Sequence, residues 1–472
     1  CRYSIPATTK RCLLQIYNQP TANVFCLFQL VLVYFFFAHS YYSEISKLAQ
    51  HSSELKVLSK KPPLPTTPTN KQHELDENLP LFRQNVILHN DTRNYFSAIG
   101  NNLSCYIQGT NLKASKNSCI CLPDFHGLDC GIPSLAWYEA FIDVKERALL
   151  RRRQYPRRII QGIVVNHEFE LMEARMNELE GIVDAYIIGE SNYSTKGDPK
   201  PLRFMEKLQQ GFLNKYQPIM VYVLQSFYPA KGFYDGWYAE GYLRTHMSVH
   251  GLPRVINSRP DDLFLLFDAD EIPSRDALMF LKLYDGYSEP IGFTLRWSIF
   301  GFFWKVPFVP PSFPFSLFMD PKTEMATHVA AGVTLDFLKT FCDNNAHCIR
   351  KLNLTGTPET DLQTYEERNG HSLSLWWIGS DQHFAGHHCS WCLSPEDIVV
   401  KLKTANREDK PRWGDYPEKL NLDYITGLIR DGKWFDDKTV YQKRKITSSD
   451  YAPKFILQHP HKFSRFLKNP YS

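Results

Sequence analysis

From Arg157 onward, short runs typical of buried strands alternate with segments typical of helices. The strand candidates are 157–166 (RRIIQGIVVN), 183–189 (VDAYIIG), 219–224 (IMVYVL) and 263–267 (LFLLF). The segments 168–180 and 237–250 are rich in helix formers. Apolar strands that alternate with helices predict an α/β domain with a mostly parallel sheet that is covered on both faces. Ligands bind such sheets at the carboxyl ends of the strands, so the residues after each strand are the functional candidates.

An Asp-x-Asp sequence follows the fourth strand candidate directly. Asp268 and Asp270 are its acids, and Glu271 extends the acidic run. Two carboxylates two residues apart at a strand end can approach one hard divalent cation. Such a cation could bridge the oxygens of a diphosphate and neutralise charge on the leaving group. Helix capping is the alternative, because Pro273 and Ser274 indicate a helix start close by.

Polar residues also follow the other strand candidates. Together with Asp235, at the start of the predicted helix before the Asp-x-Asp strand, they could hold a nucleotide base, ribose and sugar. Arg244, within that helix, could meet phosphate oxygens. Strand ends are polar in any α/β protein, so a purely structural role is the alternative. The candidates for binding the nucleotide are Asn166, Glu168, Glu190, Asp235 and Arg244.

A dense histidine cluster, HFAGHHCSW, begins at His383. One of these imidazoles could complete a metal shell or contact phosphate, and we take His383 as the candidate ligand beside Asp268 and Asp270. Ordinary hydrogen-bonded histidines are the alternative. The adjacent Cys389 and Cys392 form a C-x-x-C pair that could be a redox motif, part of a zinc site or a structural disulfide.

Composition excludes some classes of function and selects none. The chain of 472 residues has 54 Lys plus Arg and 50 Asp plus Glu, for a net charge of +4. That balance is too small to predict nucleic-acid binding, so we expect no nucleic-acid partner. The chain also lacks a Walker A motif, a G-x-S-x-G elbow and an H-E-x-x-H motif, which argues against NTPases, α/β-hydrolases and zincins.

One N-terminal segment could cross a membrane. Residues 24–38 (VFCLFQLVLVYFFFA) carry no charge, and Lys10 and Arg11 precede them. The positive side is therefore predicted to be cytosolic, with a tail at 1–20, a transmembrane signal-anchor at 21–42 and the remainder lumenal. A cleaved signal peptide is the alternative. Residues 43–100 include KKPPLPTTPTN, which favours an extended stalk.

The cysteines after the apolar segment indicate an oxidising compartment. They are eight in number, and an even count suits disulfides: Cys105, Cys119, Cys121, Cys130, Cys342, Cys348, Cys389 and Cys392. The first four lie in a segment, 101–134, that resembles half of an EGF-like module. Cys105 could pair with Cys119, and Cys121 with Cys130. For the other four, Cys342 with Cys348 and Cys389 with Cys392 is the simplest pairing, and cross-pairing stays open.

Several blocks resemble the β-1,4-mannosyl-glycoprotein 4-β-N-acetylglucosaminyltransferase family. They lie between residues 119 and 472 and include FDADEIPSRDALMFLKLYDGY (267–287), GFFWK (301–305), HFAGHHCSWC (383–392), PRWGDY (411–416) and NPY (469–471). The resemblance implies a GT-A-like catalytic domain at 135–472 in a type II Golgi membrane enzyme. It implies UDP-GlcNAc as donor, Mn²⁺ or another divalent cation as cofactor, and the core β-mannose of a glycoprotein N-glycan as acceptor. Asp268 and Asp270 match the family's metal-binding acids.

The implied reaction inverts the anomeric carbon, so a carboxylate should deprotonate the acceptor hydroxyl. Glu271 and Asp381 are the candidate bases, and Asp415 is a weaker one. Two other functions remain open at this point. One is a related N-acetylglucosaminyltransferase with a different glycan acceptor, and the other is a catalytically silent, EGF-bearing membrane binding protein.

Overall fold

A computed structural model of the chain describes residues 80–99, 103–138, 149–233, 235–306, 324–352, 354, 356–405, 409–444 and 450–472. The predicted tail, the signal-anchor and most of the predicted stalk lie outside these ranges. Within them, no helix is both long enough and apolar enough to cross a membrane.

An 11-stranded sheet organises the described residues. Its strands in chain order are β1 Ile159–Val164, β2 Ala185–Ser191, β3 Met220–Gln225, β4 Leu263–Asp268, β5 Glu271–Pro273, β6 Glu289–Ile299, β7 Gly301–Lys305, β8 Ala326–Thr334, β9 Leu373–Ile378, β10 Gly386–Ser390 and β11 Gln442–Lys443. The spatial order is β5-β10-β6-β8-β4-β1-β2-β3, while β7 and β9 pair with β6 and β11 pairs with β7. The four predicted strands are therefore confirmed as β1 to β4.

Only part of this sheet is parallel, which corrects the prediction of a mostly parallel sheet. Strands β1 to β4 run parallel, but β8 is antiparallel to both β4 and β6. A tight reversal at Phe300, with φ of 58°, makes β7 antiparallel to β6. The strand–helix alternation that indicates parallel strands stops after β4, because hairpins and longer crossovers connect the strands that follow.

Helices flank the sheet. With the labels used below they are α1 Phe169–Glu178, α2 Arg203–Gln209, α3 Gly236–Gly251, α4 Arg275–Leu283, α5 Leu335–Cys342, α6 His347–Arg350, α7 Glu359–Asn369, α8 Pro395–Thr404, α9 Leu422–Asp431, α10 Lys454–Gln458 and α11 Ser464–Leu467. Both predicted helices are confirmed, as α1 and α3.

The core forms because β4 is apolar on both faces. Residues 263–267 are fully buried, as expected for a strand with layers on each side. On one side, Met247 of α3 packs against Phe264 in a cluster that also includes α5. A Cβ atom at Gly162 would lie 2.7 Å from each of these two side chains, so the close approach of α3 to the sheet requires glycine there.

A small cystine-stabilised segment precedes the sheet. Its strands are Phe96–Ile99 with Leu103–Tyr106 and Phe125–His126 with Ile132–Pro133. The simplest cysteine pairing is confirmed throughout, as Cys105–Cys119, Cys121–Cys130, Cys342–Cys348 and Cys389–Cys392. This settles the C-x-x-C pair as a disulfide rather than a zinc or thiol site.

The end of the predicted stalk packs onto the α/β domain. Val86–Ile87 forms a parallel pair with Val255–Ile256, and Gln84 donates to the carbonyl of Gln217. Val86 is buried, and apolar burial of this kind holds a segment against a domain. The stalk prediction therefore does not apply to residues 80–99. A short helix, Pro80–Arg83, comes directly before Gln84, and another, Ser134–Trp137, follows the cystine-stabilised segment.

Candidate active site

The Asp-x-Asp turn lies where the topology of the sheet changes. Asp268 ends β4 beside Val164 of β1, and Glu271 starts β5, which pairs with β10. The chain order of the strands reverses between β1 and β4, because β2 and β3 lie on one side of β1 and β4 lies on the other. The carboxyl ends of β1 and β4 therefore open into the kind of crevice where α/β sheets bind ligands. Helix α4 is capped by Ser274, which accepts from the Ala277 amide at 3.2 Å. The capping alternative for Asp268 and Asp270 is thus excluded.

Asp268 is held by an arginine from α3. Arg244 Nη2 donates to both oxygens of the Asp268 carboxylate at 2.9 Å and to Glu240 at 2.6 Å. Burial by itself would raise the pKa of Asp268, but the guanidinium groups of Arg244 and Arg350 hold it below its ordinary value. Arg244, a predicted phosphate ligand, therefore serves here as the partner of Asp268 and Glu240.

Asp270 lies between two further cationic groups. Its carboxylate is 3.6 Å from Lys401 Nζ and 3.7 Å from His388 Nε2. Burial opposes ionisation of Asp270, yet Lys401 and His388 hold its pKa well below the usual range. Two ionised carboxylates of the motif are thus matched by cations from four different elements, α3, α6, α8 and β10.

Glu271 braces the turn from inside the protein. Its Oε2 accepts from the Asp268 amide at 2.8 Å and from Arg350 Nη2 at 2.6 Å. Arg175 also donates to the backbone carbonyls of Asp268 and Glu271. Since the Glu271 side chain is only 5% exposed and hydrogen-bonded in this way, the structure contradicts its predicted role as catalytic base.

The motif can supply only part of a metal shell. Among the described residues, no three His, Cys, Asp or Glu side chains are grouped so that they could hold an ion. Mg²⁺-like cations commonly take one or two carboxylates from the protein and the remaining ligands from substrate phosphates and water. Asp268 and Asp270 fit a cation bound in that way.

His383 lies apart from this arrangement. Its ring stacks on Tyr138 with 5.3 Å between centroids, and its amide donates to Ser380. The imidazole beside the Asp-x-Asp turn is that of His388, placed there because β10 pairs with β5. The histidine cluster therefore does reach the site, but through a different member than predicted.

Asp381 lies in the same loop as His383. It lies exposed in the loop between β9 and β10. The neighbouring Gly379 donates its amide to Leu135, which places this loop against the helix Ser134–Trp137. The prediction that Asp381 is the catalytic base is not supported by this position.

A small cavity opens beside the Asp-x-Asp turn. Its volume is about 240 Å³. The predicted ligands Asn166 and Glu168 line it, together with His167, Thr195, Trp237, Glu240, Trp391, Lys401, Thr404, Ala405 and Asp409. We call this space the strand-end cavity, because the loop after β1 forms one of its walls.

Charged and unpaired polar groups face the strand-end cavity. Glu168 accepts from the amides of Asn166 and His167 at 3.1 and 3.0 Å, which fixes the loop after β1. His167 is 2% exposed, and its Nδ1 has no hydrogen-bond partner among the described residues. Burial lowers the pKa of His167, and its Nε2 donates to the Asp397 carbonyl at 3.1 Å. In the neutral imidazole, Nδ1 is therefore an acceptor for one hydrogen bond from a ligand.

Two other nucleotide-binding candidates have structural roles instead. Glu190 is fully buried and accepts from the amides of Phe204 and Met205 at the start of α2, and from Tyr222 Oη at 2.7 Å. Asp235 is the N-cap of α3. In the structure, Glu190 ties α2 to the sheet, and Asp235 starts the helix that carries Trp237.

A larger cavity adjoins the first. Its volume is about 540 Å³, and it is lined by Trp391, Leu402, Ala405, Asp409, Lys410, Pro411, Arg412, Trp413, Trp434 and Asp436. We call it the tryptophan cavity. It shares Trp391, Ala405 and Asp409 with the strand-end cavity, so the two spaces meet at these residues.

Sequence reasoning did not identify Lys401, Asp409 or Trp391 as site residues. Lys401 and Asp409 lie more than 130 positions after the Asp-x-Asp motif, in a helix and a loop that come close to it only in the folded chain. The sequence does offer a signal for Trp391 as a site residue, since it lies between the two cysteines of the C-x-x-C pair, next to the histidine cluster. A disulfide spanning three positions, Cys389–Cys392, fixes the backbone around this indole.

Comparison with known proteins agrees with the geometry. Residues 146–324 match the family model of glycosyltransferase family 17. The chain resembles the enzymes named β-1,4-mannosyl-glycoprotein 4-β-N-acetylglucosaminyltransferase from Homo sapiens, Rattus norvegicus and Mus musculus, at 42% identity over 354 residues in each case. The alignments cover 75% of this chain and 62% of each relative. The resemblance predicted from the sequence blocks is thus confirmed.

Proposed function

We propose that the chain is an inverting glycosyltransferase that moves GlcNAc from UDP-GlcNAc in β-1,4 linkage to the core β-mannose of an N-glycan. The observation that carries the proposal is the Asp268-x-Asp270 turn at the topological change of the sheet, beside a cavity lined by Asn166, Glu168 and Lys401. The matched family segment contains this turn, and the similar enzymes bear the name of this reaction. The parallel strands β3-β2-β1-β4 followed by an antiparallel β8 suit a GT-A-like domain.

Part of the donor would occupy the strand-end cavity, whose volume of about 240 Å³ is below the ~300–1,000 Å³ typical of small-molecule sites, with the diphosphate toward Asp270. Asp268 and Asp270 would hold a divalent cation such as Mn²⁺, which when bound offsets the negative charge of the diphosphate. Lys401, 3.6 Å from Asp270, adds a fixed positive charge where the leaving UDP gains charge. His167 Nδ1 offers the buried hydrogen-bonding group that the uridine portion can use.

Asp409 is the carboxylate best placed to act as base. It lines both cavities, so it lies where a donor in one would meet an acceptor in the other. In a single displacement, Asp409 takes the proton of the mannose hydroxyl as that oxygen bonds to the anomeric carbon of GlcNAc. The bond from that carbon to the UDP oxygen breaks at the same time, and the configuration inverts.

We further propose that the enzyme is a single-pass type II protein of the Golgi membrane. The uncharged segment 21–42 with basic residues before it supports this orientation. The four disulfides support a lumenal location of the catalytic domain.

The experiment uses the full chain, expressed in cultured cells and solubilised in detergent. It is incubated with UDP-GlcNAc, Mn²⁺ and a panel of N-glycans and other glycans, and the product linkage is determined by NMR. The proposal requires β-1,4-linked GlcNAc on the core β-mannose. Transfer only to other acceptors would indicate a related transferase with a different acceptor. Absence of transfer to all of them would favour a catalytically silent binding protein.

A further inference from the structure

The tryptophan cavity has walls made of rigid, partly exposed indoles. Trp391 and Trp434 meet nearly at right angles, with 5.6 Å between ring centroids and 80° between planes. Trp413 lies roughly parallel to Phe435, at 6.4 Å, and Phe435 is fully buried beneath them. Because a common core supports all three rings, their exposed faces are fixed before any ligand arrives, which lowers the entropic cost of binding.

Charged groups complete the rim of this cavity. Asp409, Lys410, Arg412 and Asp436 contribute to the lining. Arg412 Nε is buried and has no hydrogen-bond partner among the described residues. Flat apolar faces combined with a few charged hydrogen-bonding groups suit a ligand that has both C–H-rich faces and hydroxyl edges. A pyranose ring has this character.

The position of the cavity relates it to the reaction. Lys401 Nζ lies 5.2 Å from the centre of the Trp391 ring and 3.6 Å from the Asp270 carboxylate. One side chain therefore connects the metal-binding motif to the indole that both cavities share. A ligand in the tryptophan cavity would abut a donor in the strand-end cavity. Its volume of about 540 Å³ falls within the ~300–1,000 Å³ typical of small-molecule sites.

We propose that the tryptophan cavity is the acceptor subsite, where sugar units of the N-glycan next to the reacting mannose stack on Trp413 and Trp434. This inference rests on the proposed function, which supplies the identity of the reaction. It assigns acceptor recognition to the C-terminal part of the chain, residues 391–436, outside the segment that the family model matches. Stacking is tolerant of substituents at the ring edges, so recognition here depends on the number and placement of pyranose rings.

The test compares Trp413→Ala with Trp413→Phe in the full chain. Trp413→Ala is expected to raise KM for a free biantennary N-glycan by about tenfold, the change that corresponds to loss of one stacking contact. KM for UDP-GlcNAc should stay within about twofold, and Trp413→Phe should recover most of the acceptor affinity because it keeps an aromatic face. Binding of the same glycan without donor is followed by saturation-transfer NMR and should weaken in parallel.

Two control variants separate the possible outcomes. Trp237→Ala, in the strand-end cavity, should raise KM for UDP-GlcNAc instead, and Tyr155→Ala, which is 65% exposed and belongs to neither cavity, should change neither constant. If Trp413→Ala raises only the donor KM, or leaves both KM values unchanged in an active enzyme, the acceptor assignment is wrong. If the unsubstituted chain binds the glycan through Trp413 but transfers nothing, the proposed function fails while the glycan subsite stands.

If Trp413→Ala does not fold, the wild-type protein still gives an answer. Saturation transfer from the protein should reach the C–H protons of the glycan, and binding of the glycan should quench the intrinsic tryptophan fluorescence. Trp434→Phe should reduce both signals. No transfer of saturation and no quenching at millimolar glycan would overturn the proposal.

Discussion

The brace on the Asp-x-Asp turn predicts a specific loss of stability in Glu271→Gln. The change preserves shape but removes the negative charge that faces Arg350, whose side chain is 15% exposed. Breaking a buried pair on one side commonly costs about 3–5 kcal/mol. In Glu271→Gln, Arg350 keeps its hydrogen bond to the Leu266 carbonyl at 3.2 Å, and the glutamine retains one acceptor oxygen. We therefore expect the unfolding free energy to fall by about 3 kcal/mol, the lower end of this range.

A double-mutant cycle with Arg350→Met measures this directly. Urea denaturation followed by tryptophan fluorescence gives the unfolding free energy of the wild type, both single variants and the double variant. If the two side chains stabilise each other, Glu271→Gln should cost about 2 kcal/mol less when Arg350 is already methionine. The position of Asp268 depends on the same brace, so we expect activity to fall in Glu271→Gln and in Arg350→Met alike.

The outcome also separates a brace from a catalytic base. If Glu271 were the catalytic base, Glu271→Gln would lose turnover with an unchanged urea midpoint. Arg350→Met would then leave the pH dependence of turnover as it is in the wild type. An unchanged midpoint in Glu271→Gln, or a coupling energy near zero, would show that Glu271 and Arg350 do not brace the turn.

Three further predictions follow from other contacts. Burial, aided by His250, lowers the pKa of His246 to about 4, so between about pH 4 and 6.5 the unfolded chain binds a proton that the folded chain does not. The unfolding free energy should therefore fall as the pH falls through this window. In His246→Gln, urea titrations at several pH values should show a dependence on pH that is shallower by at most about 1.4 kcal/mol per pH unit. Asp409→Asn should lower kcat by roughly 10²–10⁴-fold with little change in either KM, whereas a normal kcat would remove Asp409 as the base. Glu190→Gln should lower the unfolding free energy by about 2 kcal/mol, because the charge-assisted hydrogen bonds to α2 and Tyr222 are weakened. The KM for UDP-GlcNAc should stay unchanged. A raised KM for the donor with normal stability would instead indicate that Glu190 binds the donor.

The first half of the domain could be predicted from sequence because its signals are local. The runs at 159–163 and 263–267 are largely apolar and buried, which is typical of a parallel strand that is covered on both faces. The same locality placed Asp268 and Asp270 at a strand end. It misled at Glu190, since this carboxylate, near the carboxyl end of β2, accepts hydrogen bonds from α2, and a position near a strand end does not indicate which way a side chain points.

The second half could not be predicted because it depends on pairings between distant segments. His388 rather than His383 meets Asp270 because of the register of β10 against β5, and register is a property of the folded sheet. The same holds for Lys401, which comes to the motif on α8. The tryptophan cavity brings together indoles from three separate segments, and each of them alone is more typical of a core.

Transfer of GlcNAc by Asp270→Asn and by the wild type distinguishes a catalytic Asp-x-Asp turn from a purely structural one. Both full-length proteins are assayed with UDP-GlcNAc, Mn²⁺ and a core N-glycan, and their urea midpoints are measured in parallel. Asparagine keeps the size of the side chain but removes the charge that faces Lys401, His388 and the proposed cation. We expect β-1,4-linked GlcNAc on the core mannose from the wild type and at least a 100-fold lower rate in the folded variant. A folded Asp270→Asn protein that transfers GlcNAc at the wild-type rate would contradict this expectation.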